Sequence, residues 1–334
     1  MKICVYGLGA IGGLLAARLS TRLSATGHEL TCIARGETLS AVQKRGLIFT
    51  DNDEQQTVPL SCSDNPEDIG PQDVVFLTTK AYSIPQLVNS IKPLLGPDTV
   101  VVTMCNGVPW WYHYGRTAGA QDYDSPVAAV DPAGVVWQGI GPQRAIGCVV
   151  YPAARVEAPG VVRHISGDKF SLGEPAAKPG GAPSERVSVI ADALQEAGFE
   201  TPVSDNIRAE VWFKLVANAA YNPVSLVTGK TLGEMFDDRA TCQLLITIMH
   251  ELILVAGKQG YPMPLTPEQL IDATRPFAAH KTSMLLDLEA GRPVELDALV
   301  VAVQELAQAS GVMTPALDTM QALAAAKASA AGCY

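Results

Sequence analysis

One stretch of the sequence combines apolar residues with side chains that can donate protons. Between residues 209 and 224 most positions are apolar, but Lys214, Asn218 and Asn222 recur at every fourth place. At about 100° per residue, these three side chains span only about 80° of one helical face. A buried face of this kind is costly unless its polar groups find partners, either other side chains or a bound polar ligand. A stripe that faces the solvent would show the same spacing.

The residue types on this face suit the reduction of a ketone. That reaction needs a hydride on carbon and a proton on the developing alkoxide, and a positioned lysine can supply the proton and stabilise the charge. The asparagine amides can donate to, and accept from, hydroxyl and carboxylate groups. The five histidines show no ligand spacing, and no Ser-His-Asp arrangement has a supporting context. Hydrolysis and metal catalysis are therefore not favoured, and we expect no metal site.

A glycine-rich segment near the start of the sequence indicates where the hydride donor would bind. It follows an apolar run at 3–6 and precedes a helical pattern. The first glycine permits a tight turn, the second lets the backbone approach a pyrophosphate, and the third allows close packing of helix and strand. The N-terminus of the helix attracts the phosphates. The motif predicts a dinucleotide site made of Gly7, Leu8, Gly9, Ala10, Ile11 and Gly12.

The end of the second predicted strand indicates which dinucleotide binds. Enzymes that use NAD usually carry Asp or Glu at this place, to bond the ribose 2′-hydroxyl. This sequence has Arg35 there, with Glu37 shortly after it. An arginine can donate charge-assisted bonds to a 2′-phosphate, which favours NADP(H), and a solvated surface arginine is the alternative. Two further candidates follow later apolar runs and share the predicted carboxyl edge of the sheet: Lys80 and Asn106.

Short apolar runs alternate with helical patterns in the first part of the sequence, which predicts a mostly parallel sheet covered by helices on both faces. Later apolar runs predict added antiparallel strands, and from about residue 206 only long helical patterns follow. We therefore expect an α/β domain over 1–205 and an all-α domain over 206–334. The predicted strands lie at 2–6, 28–34, 73–79, 99–105, 147–151, 160–165 and 169–172, and the predicted helices at 10–24, 184–197, 207–222, 238–258, 267–290, 294–310 and 315–330, with a fraying alanine-rich end at 322–333.

Composition and charge narrow the class of protein. The net charge is -10, which does not favour a general nucleic-acid or anionic-membrane binder. The seven cysteines are scattered without a C-x-x-C pair, so buried reduced thiols are favoured over disulfides or zinc, and we expect a cytoplasmic protein. We expect no membrane span either, because the longest apolar candidate, residues 244–256, is too short and contains His250 and Glu251.

Taken together, these motifs make the sequence similar to the ketopantoate reductases (2-dehydropantoate 2-reductases) over nearly its whole length. The resemblance implies a Rossmann-type domain followed by a helical domain. It also implies the NADPH-dependent reduction of 2-dehydropantoate to (R)-pantoate, a step toward pantothenate. The motifs are, in order, GLGAIG at 7–12, RG at 35–36, TTKAYS at 78–83, CNG at 105–107, PGVVRH at 159–164, LGEP at 172–175, KLVANAAYNPVSLVTG at 214–229, TSMLLD at 282–287 and GRPVELD at 291–297.

The resemblance also implies roles for individual residues. Lys214 matches the general acid of the family. From its local sequence alone Glu295 is an ordinary residue of a first helical turn, but the resemblance places it near the nicotinamide and the substrate. The implied substrate contacts are Asn106, Asn218, Asn222 and Ser283. The implied NADP contacts are the glycine motif, Arg35, Lys80, Asn106, Ala154 and Glu295.

Two departures from the family pattern concern the substrate. The segment 107–146 is longer than usual and begins with an aromatic cluster at 110–114. This cluster either packs the loop down or forms a dimer contact, or the segment forms a lid or an altered substrate pocket. Residues 231–233 stand where many members offer another asparagine. The leading hypothesis is therefore ketopantoate reduction. The alternatives are a paralogue that reduces another small 2-keto acid and a non-catalytic NADP-binding protein. A homodimer formed through the helical domain is compatible with the sequence.

Overall fold

The computed structural model describes residues 1–23, 27–116, 125–178 and 180–334. The chain divides into two compact units, an α/β first unit and a helical second unit. The main division falls after Ile207, close to the boundary expected from the sequence. Two short segments, Asn106–Val108 and Val127–Pro132, belong to the second unit although the first unit surrounds them in the sequence.

The first unit is built on a seven-stranded sheet. Its central strands are buried on both faces, which explains why they appear as continuous apolar runs rather than as alternating patterns. The strands are β1 (Lys2–Tyr6), β2 (Glu29–Ile33), β5 (Ser61–Ser63), β6 (Gln72–Leu77), β7 (Leu95–Thr103), β8 (Ala145–Val150) and β11 (Phe170–Gly173). Their order is β11-β8-β7-β6-β1-β2-β5, and every neighbouring pair is parallel except β11 with β8.

A second, four-stranded sheet was not predicted as such. Its order is β4-β3-β10-β9, formed by β3 (Leu47–Asp51), β4 (Glu54–Val58), β9 (Ala153–Ala158) and β10 (Val161–Ser166). The sequence analysis missed β3, β4, β5 and β9. Two of these, β4 and β9, are polar edge strands that lie largely in the solvent, so they carry no apolar run.

The prediction that the later strands are antiparallel is only partly correct. β11 pairs antiparallel with β8, and β10 with β9. However, β8 is parallel to β7 and β10 is parallel to β3, so for these pairs the prediction is wrong. Strand direction depends on the pairing partner, which a local pattern does not specify.

Five helices belong to the first unit: α1 (Ala10–Leu23), α2 (Gly36–Arg45), α3 (Ile84–Ile91), α4 (Val135–Gly139) and α5 (Glu185–Glu196). α1 lies against the core through Leu14, Leu15 and Leu19, all fully buried. Ser184 is the N-cap of α5, because its hydroxyl accepts a hydrogen bond from the backbone N–H of Val187.

The aromatic cluster of the long segment packs inward. Trp110, Trp111 and Tyr112 are 2%, 1% and 0% exposed. Trp110 Nε1 donates to Thr103 Oγ1 at 2.9 Å. These contacts favour the packing interpretation over a lid for this part of the segment. Residues 117–124 lie outside the described residues.

The second unit is helical, which confirms the predicted fold class of an α/β unit followed by an all-α unit. Its helices are α6 (Ile207–Thr228), α7 (Leu232–Asp237), α8 (Arg239–Lys258), α9 (Pro267–Thr274), α10 (Ser283–Glu289), α11 (Ala302–Ala309) and α12 (Pro315–Ala330). A π-helical turn, Asp297–Val301, leads directly into α11.

One predicted helix is wrong in extent, and the fraying expected at the end of another is wrong. The expected helix over 267–290 is two helices, because Pro276 stands in a 3₁₀ turn and Thr282 starts α10 by capping the backbone N–H of Leu285. The alanine-rich end does not fray, since Ala324, Ala328 and Cys333 are buried.

By length and composition, α8 could cross a membrane, a finding that differs from the expectation of no such segment. One such helix is weak evidence, because a core helix of a globular unit meets the same criteria. Six of its side chains are buried inside the second unit: Leu245, Ile248, Met249, Leu252, Val255 and Ala256.

Candidate active site

The glycine loop between β1 and α1 has the shape that a phosphate group requires. Gly7 adopts a φ of +108°, which favours glycine. A Cβ atom on Gly12 would lie 1.9 Å from the carbonyl oxygen of Gly7, so this position accepts no side chain. A Cβ on Gly9 would meet nothing within 4 Å, which leaves open space in front of the loop. Because α1 begins at Ala10, the unbonded N–H groups of its first turn lie beside that space.

A buried hydroxyl beside the loop supports the same assignment. Thr79 follows β6, and a Cβ on Gly7 would lie 2.8 Å from the Thr79 methyl group. Thr79 Oγ1 is buried and makes no hydrogen bond to any other described residue. A buried hydroxyl without a partner is costly, so a ligand that supplies one is stabilised here. The residues present therefore fit a dinucleotide. Thr79 lies within the motif TTKAYS at 78–83, but it was not predicted as a contact.

Arg35 lies at the carboxyl edge of the same sheet. It is exposed at the start of α2, and its Nη2 donates to the Tyr6 hydroxyl at 3.3 Å. Tyr6 Oη is in turn 2.8 Å from Ser90 Oγ on α3. The guanidinium is thus oriented by a side chain at the end of β1, with further N–H donors available. Tyr6 and Ser90 were not predicted, because their separation in the sequence hides the contact.

The other two predicted cofactor contacts in the first unit lie in different places. Lys80 is half-buried and precedes the short 3₁₀ turn Ala81–Ser83, next to Thr79. Ala154 is on β9, in the four-stranded sheet, and pairs with His164 of β10. Lys80 therefore follows the same strand end as Thr79, whereas the role of Ala154 stays a prediction.

In the second unit, Lys214 and Asn106 meet although 108 positions separate them. Lys214 Nζ donates to Asn106 Oδ1 at 2.7 Å. Both residues are half-buried, while Trp212, Leu215 and Val216 beside Lys214 are buried. The lysine therefore projects from a mostly apolar helix, and the interpretation as a fully solvent-facing stripe is wrong.

The two asparagines that follow on α6 differ in their surroundings. Asn218 is half-buried, and its side-chain amide makes no hydrogen bond to any described residue. Asn222 is only 3% exposed. Its Oδ1 accepts from Ser283 Oγ at 3.3 Å and from the backbone N–H of Met284 at 3.2 Å, and its Nδ2 donates to the carbonyl oxygen of Asn218 at 2.9 Å. Asn222 therefore holds the start of α10, and Ser283, which is exposed, is oriented by it.

Glu295 lies just before the π turn and is 6% exposed. Burial of a carboxylate is costly unless it is partnered, so this is not the solvated first-turn charge that the local sequence suggested.

At the other departure from the family pattern, Thr231 caps α7 in a capping box with Glu234. Among the described residues, no group of three or more His, Cys, Asp or Glu side chains could hold a metal ion.

Comparisons with known proteins agree with this geometry. The family model described as "Ketopantoate reductase PanE/ApbA" matches residues 3–177, and that of its C-terminal domain matches 206–328. A 2-dehydropantoate 2-reductase from Mesorhizobium japonicum is 45% identical over 334 residues, the full length of both chains. One from Pyrococcus horikoshii is 27% identical, with 99% of each chain covered.

Solved structures show the same relationship. A putative ketopantoate reductase from Ralstonia solanacearum is 38% identical, with a TM-score of 0.91 and 99% of each chain covered. A D-mandelate dehydrogenase solved with NADH and anilino(oxo)acetate is 20% identical, with a TM-score of 0.81 over the whole of both chains, a likeness that shows the fold alone. The models of the two domains of one family match the two parts of the chain, and the resemblance noted from the sequence is confirmed. The chain belongs to the ketopantoate reductase family.

Proposed function

We propose that the protein reduces 2-dehydropantoate to (R)-pantoate with NADPH, a step toward pantothenate. The observation that carries this proposal is the Lys214–Asn106 pair, 2.7 Å apart, with the Asn218 amide one helical turn away. The Mesorhizobium japonicum relative that is named 2-dehydropantoate 2-reductase supports the choice of substrate. Lys214, Asn106, Asn218 and Ser283 are the substrate residues of this proposal.

Different residues of this chain perform the separate steps of a ketone reduction. A bound dihydronicotinamide supplies the hydride. Lys214 donates a proton to the carbonyl oxygen, and its ammonium charge stabilises the alkoxide that develops there. Asn106 Oδ1, which accepts from Lys214, orients the amine toward that oxygen. The Asn218 amide can bind the substrate hydroxyl or carboxylate, while Asn222 keeps the Ser283 hydroxyl in place.

NADPH is preferred over NADH in this proposal because of Arg35. No carboxylate stands at the end of β2, where it would repel a 2′-phosphate, and the Arg35 guanidinium offers donors there. The glycine loop and the Thr79 hydroxyl would hold the remaining phosphates and ribose. Lys80, Ala154 and Glu295 complete the predicted cofactor contacts.

The remaining expectations belong to the same proposal. The partner is a small 2-keto acid rather than a nucleic acid or a membrane, and the chain forms a homodimer. A cytoplasmic location is supported by the seven cysteines, all of which are free thiols.

The test is NADPH oxidation with a panel of 2-keto acids: 2-dehydropantoate, pyruvate, 2-oxoisovalerate and phenylpyruvate. We expect the highest kcat/KM with 2-dehydropantoate, with (R)-pantoate as the product on chiral chromatography. A much higher kcat/KM with another acid would assign the protein as a paralogue for that acid. Tight NADPH binding by titration calorimetry without oxidation by any acid would instead support the non-catalytic alternative.

A further inference from the structure

The π-helical turn Asp297–Val301 exposes a backbone acceptor that a regular helix would use internally. The N–H of Ala302 donates to the carbonyl oxygen of Asp297, five residues back. In an α-helix the same N–H would donate to Ala298, four residues back. The Ala298 carbonyl therefore loses its ordinary donor. Turns of this kind inside helices are frequent at functional sites.

The segment that carries Asn106 uses this acceptor. The backbone N–H of Val108 donates to the carbonyl oxygen of Ala298 at 2.8 Å. Gly107 lies flat on the same residue, because a Cβ atom on it would be 2.4 Å from the Ala298 oxygen and 2.7 Å from the Ala298 Cβ. Gly107 also has a φ of +94°, so a side chain there is disfavoured both by the backbone conformation and by the contact with Ala298. The backbone next to Asn106 is therefore fixed by the π turn.

The other side of the π turn is held by two residues that follow α12. The backbone N–H of Val294 donates to the carbonyl oxygen of Cys333 at 3.0 Å, and Cys333 is 1% exposed. The Tyr334 hydroxyl donates to Asp297 Oδ1 at 2.5 Å. These two bonds bracket Glu295, which lies between Val294 and Asp297. The turn is thus held by the residues after α12 as well as by its contact with Gly107 and Val108.

We propose that the π turn Asp297–Val301 is a positioning element for the proton donor: it holds Asn106 against Lys214, and Cys333 and Tyr334 hold the turn in place. The contacts run from Tyr334 through Asp297 and Ala298 to Val108, and end at the 2.7 Å bond between Asn106 and Lys214. None of the residues of the π turn needs to touch the substrate. This inference rests on the proposed function, because it explains how the acid of that reaction is aimed.

A small displacement of Asn106 should therefore affect turnover more than binding. Misplacing a reacting group by about 1 Å can lower a rate on the order of 100-fold. The glycine loop and Arg35 lie in the first unit, so a change in the π turn leaves these NADPH contacts themselves intact.

The test compares two equal changes of buried alanines on one continuous helical segment. Ala298→Val adds two methyl groups under Gly107, and Ala307→Val adds the same volume further along α11, at a residue that is 1% exposed. We expect Ala298→Val to lower kcat by about 10- to 100-fold with the Kd for NADPH unchanged. Ala307→Val should lose a similar amount of thermal stability through overpacking, while its kcat stays within about threefold of the wild type.

Tyr334→Phe provides a second variant that keeps the packing of the ring and removes only the bond to Asp297. We expect a severalfold lower kcat with an unchanged Kd for NADPH. Its matched control is Gln304→Ala, which removes a side-chain bond of 2.7 Å from α11 to Asp318 of α12. Asp297→Asn keeps an acceptor oxygen for Tyr334 and should retain more activity than Asp297→Ala.

The outcomes separate the two proposals. Equal losses of kcat in Ala298→Val and Ala307→Val, or equal kcat values for Tyr334→Phe and Gln304→Ala, would overturn the positioning role in an active wild type. If the wild type oxidises NADPH with none of the 2-keto acids, the proposed function fails, and the positioning role fails with it. A loss confined to Ala298→Val and Tyr334→Phe supports both.

Discussion

At the residue scale, the setting of Lys214 decides what its amine can do. Its helical neighbours Trp212, Leu215 and Val216 are buried, so the side chain leaves an apolar surface at a half-buried point. Its Nζ donates to a neutral amide oxygen, Asn106 Oδ1, at 2.7 Å. A neutral acceptor orients the ammonium without cancelling its charge, which suits a group that must stabilise an alkoxide.

Lys214→Ala should therefore lower kcat by about 100- to 10,000-fold, the usual contribution of a general acid. The Kd for NADPH, measured by fluorescence titration, should stay nearly unchanged, because the glycine loop is in the other unit. Lys214→Arg keeps the charge but not the readily released proton, so it should also be slow. Lys230→Ala, which removes an ion pair with Asp238 in the same unit, is the control. Near-normal turnover of Lys214→Ala would contradict the assigned role.

Arg35→Ala should weaken NADPH binding far more than NADH binding. Charge-assisted bonds to a phosphate contribute about 1.5–3 kcal/mol, which corresponds to roughly 10- to 100-fold in Kd. The control is Arg45→Ala at the other end of α2, where the guanidinium donates to the carbonyl oxygen of Pro159. An equal loss of affinity for both nucleotides would refute the contact with the 2′-phosphate.

At the element scale, the glycine loop and the start of α10 show two ways in which local geometry builds a site. The loop leaves space for a ligand at Gly9 and excludes side chains at Gly12. The start of α10 is held by Asn222, which accepts from both Ser283 and Met284. A residue expected to contact substrate thus orients another that can, and both effects depend on backbone N–H groups at the beginning of a helix.

Gly9→Ala tests whether the open space at the loop is a ligand site. The added methyl meets no protein atom within 4 Å, so we expect no loss of thermal stability. We expect a weaker affinity for NADPH, on the order of tenfold or about 1.4 kcal/mol, because the methyl would occupy the space of the pyrophosphate. Gly257→Ala on α8 also meets no atom within 4 Å and serves as the control. Unchanged affinity in Gly9→Ala would place the nucleotide elsewhere.

At the scale of the whole molecule, hydrogen bonds and ion pairs join elements of the first unit that are far apart in the sequence. In the first unit, Arg18 of α1 donates to Asp51 of β3 at 2.8 Å and pairs with Asp168. His164 of β10 lies 2.9 Å from the same Asp51 carboxylate. This cluster joins α1, which follows the glycine loop, to the four-stranded sheet.

Asp51→Asn should destabilise the first unit in a pH-dependent way. Burial acts to raise the pKa of the Asp51 carboxyl, but hydrogen bonds from His164 and Arg18 outweigh it and hold the pKa below its ordinary value of 3.8. A lowered pKa means that this stabilisation is full above the ordinary value and is lost as the pH falls through the lower one. Urea unfolding at pH 7 should show a loss of about 1–3 kcal/mol, and the difference from the wild type should shrink below pH 4.

The control for this prediction is Asp53→Asn, since that carboxylate is 98% exposed and pairs with Arg163 at the surface. It should change stability little at any pH. A pH-independent difference between Asp51→Asn and the wild type would show that the ionised carboxylate does not supply the stabilisation.

The sequence by itself determined the features that depend on neighbouring residues. The glycine loop, the apolar central strands, the start of α5 at Ser184 and the spacing of Lys214 with Asn218 all follow from local sterics and helical periodicity. The polar edge strands β4 and β9 were missed for the same reason, because they have no buried face to impose an apolar pattern.

Only the tertiary structure decided which distant residues meet. In the folded chain Asn106 contacts Lys214, and Asn222 accepts a hydrogen bond at the start of α10. Strand β8 pairs parallel with β7, and Cys333 accepts a hydrogen bond from Val294, just before the π turn. Each of these results depends on a partner distant in the sequence, and the free energy of such a contact comes from burial and hydrogen bonds that form only when the chain has packed. A local pattern can predict the helical face on which a side chain lies, but the residue that it contacts depends on the tertiary fold.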